Sequence, residues 1–228
     1  TVDPGTATAT DNCDPSPQLT GVRSDGQALT APYPVGTTTI TWTATDACDN
    51  SSQCEQTVTV WANPDCTITA PSAVCEYSEG QSASVPDAGA GATYVWTVSG
   101  GTITTGQDTS SITWDAAALG TATIGVTVTD ANECQCTNSV EVTIYDNPDC
   151  TITAPSVCEY STGHSASVPD AGAGATYTWT VTGGTITAGQ DTSSITWDAG
   201  AAGTATIEVT VTDSSDCQCT NSVEVTIW

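Results

Sequence analysis

Three sets of residues in this 228-residue chain have the types and spacing to do chemistry, and the largest is a set of eleven cysteines. Cys13, Cys48 and Cys54 stand near the start. The others fall into two matching groups: Cys66, Cys75, Cys134 and Cys136, then Cys150, Cys158, Cys217 and Cys219. Such regular placement in small Thr-rich segments predicts structural disulfides formed outside the cytoplasm. Cys134-Gln135-Cys136 also has the outline of half a metal site. Zinc sites of that type use C-x2-C pairs with His nearby, however, and the chain holds one His. The second set is carboxylates. Asp11, Asp14, Asp46 and Asp49 at one expected pole, with Asp146 and Asp149 in a linker, are hard oxygen donors and the candidate calcium ligands. No cofactor is required, and without an EF-hand or nonapeptide motif the competing reading is solvated surface acids. The third set would be catalytic. His164, the single His, is replaced by Gln81 at the equivalent position, which predicts a surface loop residue rather than a general base. No G-x-S-x-G, H-E-x-x-H or Walker pattern occurs. Asp108 and Asp115 have twins in Asp191 and Asp198, as scaffold loops would, and Arg23 alone makes no anion site. The expectation is a protein that is not an enzyme. Asn50-Ser51-Ser52 is a glycosylation sequon.

The elements that must position these residues come from a duplication. The stretch Cys66 to Tyr145 recurs from Cys150 to Trp228 with one gap, at Ala73, and twelve differing positions. Tandem copies this close point to selected length, spacing or multivalency. The expected domains are residues 1–62, 63–146 and 147–228. Units of about 80 residues have thin cores and commonly need staples. Twenty-six acidic residues against one Arg and no Lys give a formal net charge of −25. That surface repels phosphates and anionic lipid, which excludes nucleic acid and membrane insertion of this segment. The absence of Met predicts a processed product or a piece of something longer.

The dominant period is two. "TTTITWTATD" (37–46), "TATIGVTVTD" (121–130) and "TNSVEVTIY" (137–145) alternate β-branched or aromatic residues with Thr or small ones, the pattern of a strand buried on one face. One copy should carry strands near 66–70, 73–77, 81–86, 92–99, 101–105, 110–114, 121–129 and 137–145. Tyr94, Trp96, Val98, Ile112 and Trp114 should face inward, as should Tyr177, Trp179, Val181, Ile195 and Trp197. The alternation with Thr favours core side chains over a carbohydrate platform. The fold class is all-β: three tandem immunoglobulin-like β-sandwiches arranged as an elongated rod. "WANPDC" (61–66) and "YDNPDC" (145–150) are short Pro-containing linkers with little slack. Trp61, Tyr145 and Trp228 close the three units, and the last suggests a cut at a domain boundary.

Through "ATDNCDPSP" (9–17), "YPVGTTTITWTATDACDNSSQC" (33–54) and "EQTVTV" (55–60), the first unit closely resembles the hyalin repeat, or HYR, module. That resemblance implies an immunoglobulin-like extracellular domain linked to adhesion. Modules of that family begin with a further strand carrying an early cysteine, upstream of Thr1 here. Each later unit resembles a PKD-like domain through "ATYVWTVSGGTIT" (92–104), "TATIGVTVTDANEC" (121–134) and their second copies, with "WTVSGG" (96–101) in place of the family's WDFGDG. The resemblance implies a spacer or adhesive module.

In a sandwich whose first and last strands lie side by side, Cys66 can meet the Cys134/Cys136 pair. Two bridges per copy are expected, tying Cys66 and Cys75 to Cys134 and Cys136 and, in the second copy, Cys150 and Cys158 to Cys217 and Cys219, with the register open. Cys13 is expected to pair with Cys48. Cys54 is left for a cysteine in the upstream strand or in a strand donated by a neighbouring subunit. The reading is a disulfide-stapled structural or adhesive segment of an extracellular surface filament or large adhesin. Its partners are copies of itself or neighbouring domains in a fibre, with a cell-surface or glycan ligand. The alternative is an accessory glycan-binding or spacer region of a secreted enzyme.

Overall fold

A computed structural model describes residues 3–228, so the first two residues of the first expected unit lie outside the described residues. The chain divides into two compact units. One comprises Thr1–Asp65 with Ala88–Ala92 and Val128–Cys136; the other comprises Cys66–Asp87, Thr93–Thr127 and Thr137–Trp228.

Residues up to Val60 form one antiparallel sheet of β1 (Gln18–Arg23), β2 (Gly36–Thr45) and β3 (Ser51–Val60). Its core is small: Tyr33, Ile40 and Val58, flanked by Leu29, Trp42 and Val60. Arg23 compensates for that thinness. Its side chain is buried, paired with Asp25, and donates to the Ala28, Ala31 and Pro32 carbonyls at 2.9, 2.8 and 3.2 Å. The guanidinium also lies 3.8 Å from the centre of the Tyr33 ring. A buried cation with this many acceptors orders the loop from Ser24 to Tyr33 around itself.

In the first copy the strands are β4 (Ala73–Cys75), β5 (Gln81–Ser84), β6 (Thr93–Ser99), β7 (Gly101–Thr105), β8 (Ser111–Ala116), β9 (Gly120–Thr129) and β10 (Gln135–Tyr145). They form two sheets, β4-β10-β9-β6 and β5-β8-β7. The second copy repeats this with β11 (His164–Ser167), β12 (Thr176–Thr182), β13 (Gly184–Ala188), β14 (Ser194–Ala199), β15 (Gly203–Thr212) and β16 (Gln218–Ile227), in sheets β12-β15-β16 and β11-β14-β13. The strand corresponding to β4 shrinks there to one parallel bridge, Val157 to Ile227, because the residue matching Ala73 is missing. The expected strand at 66–70 is also reduced to one bridge, Thr69 to Ser84. Pro71 lacks an N–H and holds Ala70 away from regular pairing.

Side chains from both sheets meet in a core led by Tyr94, Trp96, Ile112 and Trp114, all nearly fully buried, and by Tyr177, Trp179, Ile195 and Trp197 in the second copy. Each such aromatic or branched side chain contributes roughly 1.5–3 kcal/mol by leaving water. Val98 and Val181 are half-buried at the strand ends. Trp96 and Trp179 donate their indole N–H to the Thr109 and Thr192 carbonyls at 2.8 and 2.9 Å. These rings are core, and none of them is free to form a carbohydrate platform.

Candidate functional site at the joint between the copies

The chemistry gathers where the first copy hands over to the second. β4 runs parallel to the end of β10, with Val74 beside Ile144 and Cys75 beside Tyr145. That register sets the direction of Cys75. Strands rise about 3.3 Å per residue, so β10 carries Cys75 roughly 30 Å from the pole where β10 begins. Cys134 and Cys136 lie at that far pole, and Cys75 cannot reach them. It bonds instead to Cys217 of the second copy, with Cα atoms 5.5 Å apart and 142 residues between them in sequence. The expectation that Cys75 pairs within its own copy is therefore corrected. Chain-entropy arguments give such a closure about 5 kcal/mol.

The other cysteines sort by the same geometry. Cys150 bonds to Cys219 within the second copy, 69 residues apart. Cys66 and Cys136 are both disulfide-bonded. Cys13, Cys48, Cys54, Cys134 and Cys158 are free thiols. The expected Cys13–Cys48 bridge is thus absent. Each of these two sits in its own tight turn, its N–H donating at 2.8 Å to Asp11 or to Asp46, and both are exposed. Cys54 is exposed on β3, in register with Trp42. The expected bridge from Cys158 to Cys217 or Cys219 fails for the reason that applies to Cys75. The parallel bridge of Val157 to Ile227 places Cys158 at the end of β16, whereas Cys217 and Cys219 lie at its start.

Around the Cys75–Cys217 bond, Glu76 acts as a receptor for the linker. Its carboxylate accepts the Leu119 N–H at 3.2 Å and the Asn147 N–H at 3.4 Å, while Asn147 Nδ2 donates to the Glu76 carbonyl at 3.1 Å. Asp146 shares a hydrogen bond with the same carboxylate. The Leu119 N–H, followed by Asp146 and the Asn147 N–H, holds Glu76 below its ordinary value. Asp146 is pushed up, first by that hydrogen bond and the charge of Glu76, with Asp213 adding to the field. Two carboxyls this close favour one shared proton.

Cys217 itself is presented by a hairpin turn that occurs three times. Asp213 Oδ1 accepts the Ser215 and Cys217 N–H groups at 2.8 and 2.9 Å, and Asp216 takes a left-handed φ of 61°. Asp130 does the same for Asn132 and Cys134, with Glu133 at 64°. Asp46 does it for Cys48 and Asn50, with Asp49 at 66°. Several candidate calcium ligands hold this turn or simpler ones. Asp46 is held low first by the Asn50 side-chain amide, which donates to Oδ2 at 2.8 Å. Asp11 caps Cys13 and Asp14, Asp14 caps Ser16, and Asp149 caps Thr151, whose hydrogen bonds hold Asp149 low. Asp11 and Asp46 line one cleft of about 170 Å³. No group of three or more His, Cys, Asp or Glu suited to a metal ion occurs among the described residues. Asn50 is exposed, but its amide is committed to Asp46. His164 opens β11 rather than a loop, opposite Trp197, with Nε2 2.7 Å from Ser161 Oγ. Glu76, Asn147 and Asp213 were not singled out from sequence. The signals that mark them are the repeated V-C-E-Y and the D-x3-C spacing.

Antiparallel and parallel strands in paired sheets, repeated in tandem and stapled by disulfides, define a row of immunoglobulin-like modules of extracellular type. The chain belongs to the PKD-like domain family, whose model matches residues 61–144 and again 146–227. The HYR domain model matches residues 5–60. No curated protein matches the chain. Among solved structures, the protocadherin gamma B7 cis-dimer is similar at 16% identity, covering 85% of this chain and 58% of that one with a TM-score of 0.33. The human desmocollin-1 ectodomain matches at 14% identity over 85% of this chain and 47% of that one, TM-score 0.27. A C-terminal fragment of intimin, in complex with the intimin-binding domain of its translocated receptor, matches at 14% identity over 72% and 64%, TM-score 0.41. The chain spans less than two thirds of each, and the likeness is one of fold alone.

Proposed function

We propose that this chain is a structural or adhesive segment of an extracellular surface filament or large repetitive adhesin. It works as a disulfide-stapled spacer of three domains, residues 1–62, 63–146 and 147–228, and not as an enzyme. The observation that carries this reading is the Cys75–Cys217 bond, which clamps one PKD-like domain to the next beside a linker already hydrogen-bonded to Glu76. A spacer needs joints that resist bending, and a covalent tie at the joint supplies that resistance. The matched modules are non-catalytic types, which fits a load-transmitting role. Partners on this reading are neighbouring domains and copies in a fibre. Immunogold labelling of native material with an antibody to this chain tests the proposal: label along continuous fibres at a regular repeat is expected. Label confined to discrete particles that co-purify with a hydrolytic activity contradicts it and favours an accessory region of a secreted enzyme.

A further inference from the structure

The joint is used once in this chain, yet the half that receives the next domain is built twice. In the first copy the receiving pole consists of Cys75, Glu76 and the end of β10. Glu76 N–H donates to the Tyr145 carbonyl at 2.8 Å, and Tyr77, at a left-handed φ of 56°, donates to Ala117. In the second copy Glu159 N–H donates to the Trp228 carbonyl at 2.9 Å, and Tyr160, at 54°, donates to Gly200. The Glu159 carboxylate accepts the Ala202 N–H at 3.3 Å, as Glu76 accepts Leu119. Cys158 therefore stands where Cys75 stands.

The two poles differ in cover. Cys75 and Glu76 are half-buried under the linker and the Asp213–Cys217 hairpin, whereas Cys158 and Glu159 are exposed. Tyr145 is 41% exposed and its counterpart Trp228 is 72% exposed. The same residues, in the same local geometry, are bonded in one copy and open in the other.

We infer that the pole formed by Cys158, Glu159 and Trp228 is a covalent docking site for a further PKD-like unit. That unit would bring an Asp-Asn-Pro-Asp-Cys lead-in to seat on Glu159 and a D-x3-C hairpin whose cysteine bonds to Cys158. This goes beyond the structural role proposed above and holds whether or not the chain is adhesive. The bond forms by exchange with a small-molecule disulfide such as oxidised glutathione. The Cys158 thiolate attacks one of its sulfurs and expels a thiolate. The hairpin thiolate then attacks Cys158 Sγ in the mixed disulfide and expels the second, so two protein thiols become one disulfide and the reagent leaves as two thiols.

A direct test extends the full chain with a second copy of residues 146–228 directly after Trp228. The appended unit is marked by Ser214→Ala so that its hairpin peptide differs in mass. After production in an oxidising compartment, non-reducing peptide mapping is expected to find Cys158 linked to the marked hairpin and lost from the maleimide-reactive pool, while it remains reactive in the unextended chain. The marked unit's own bridge, equivalent to Cys150–Cys219, reports that it has folded. Cys158 still free in material carrying that bridge overturns the inference. So does Cys158 bonded to Cys134 of a second molecule, because the occupant is then another chain's first PKD-like domain rather than a tandem unit.

Discussion

At the scale of single residues, the joint is an electrostatic compromise. Asp146 and Glu76 face each other in a protein that carries 26 acidic residues, and their shared hydrogen bond needs one proton. Asp146 has a raised value, so its contribution to stability is present below its unfolded value near 3.8 and is lost as pH rises through its folded one. Glu76, held low, contributes in the opposite sense, above its unfolded value near 4.5 and lost as pH falls through its folded one. As pH rises through that raised value the pair becomes two repelling carboxylates. Asp146→Asn supplies a donor that needs no proton. Its melting temperature should exceed that of the parent at pH 7, with the gain shrinking at pH 4; a gain of equal size at both values would contradict the shared-proton account. None of this was legible in the sequence, where Asp146 read as a candidate calcium ligand and Glu76 was not singled out. What pairs them is the parallel register of β4 on β10, a contact across some 70 residues of chain.

Elements were the most legible level. In β9 the run from Gly120 to Thr129 buries alternate residues, Ala122, Ile124, Val126 and Val128, as its period of two requires. The Gly-Gly pairs are another case. In Gly100-Gly101 and Gly183-Gly184 the second glycine has a packing duty. A Cβ on Gly184 would stand 2.6 Å from the Asp198 carbonyl oxygen and 2.7 Å from the Trp197 ring, and Gly101 is equally tight against Asp115 and Trp114. Gly184→Ala should therefore cost about 1–3 kcal/mol in urea unfolding by forcing β13 off β14. An unchanged midpoint would mean that the strand pair is looser than its geometry. What sequence misjudged at this level was direction. Cys75 was placed on a strand, but the pole that strand points to depends on pairing parallel to the last strand, which the alternation of side chains does not encode, and the same pairing sets the pole of Cys158.

Over the whole molecule, the duplication repeats the receiving half of a joint as well as a domain. HYR and PKD-like modules were legible from their motifs because those motifs are the buried alternations and turns themselves. The cysteine pattern showed that bridges exist and not which copy each joins, since equivalent cysteines in near-identical copies are indistinguishable until the fold sets their poles. One bond above all, Cys75–Cys217, ties the two copies together. Because the chain has one Arg and no Lys, non-reducing mapping calls for a protease that cuts at acidic residues. Applied to the intact oxidised protein, it should yield a cross-linked peptide joining Cys75 to Cys217, with Cys134 and Cys158 recovered as alkylated thiols. Cys75 recovered in a bond to Cys134 or Cys136 of its own copy would contradict the account at its centre.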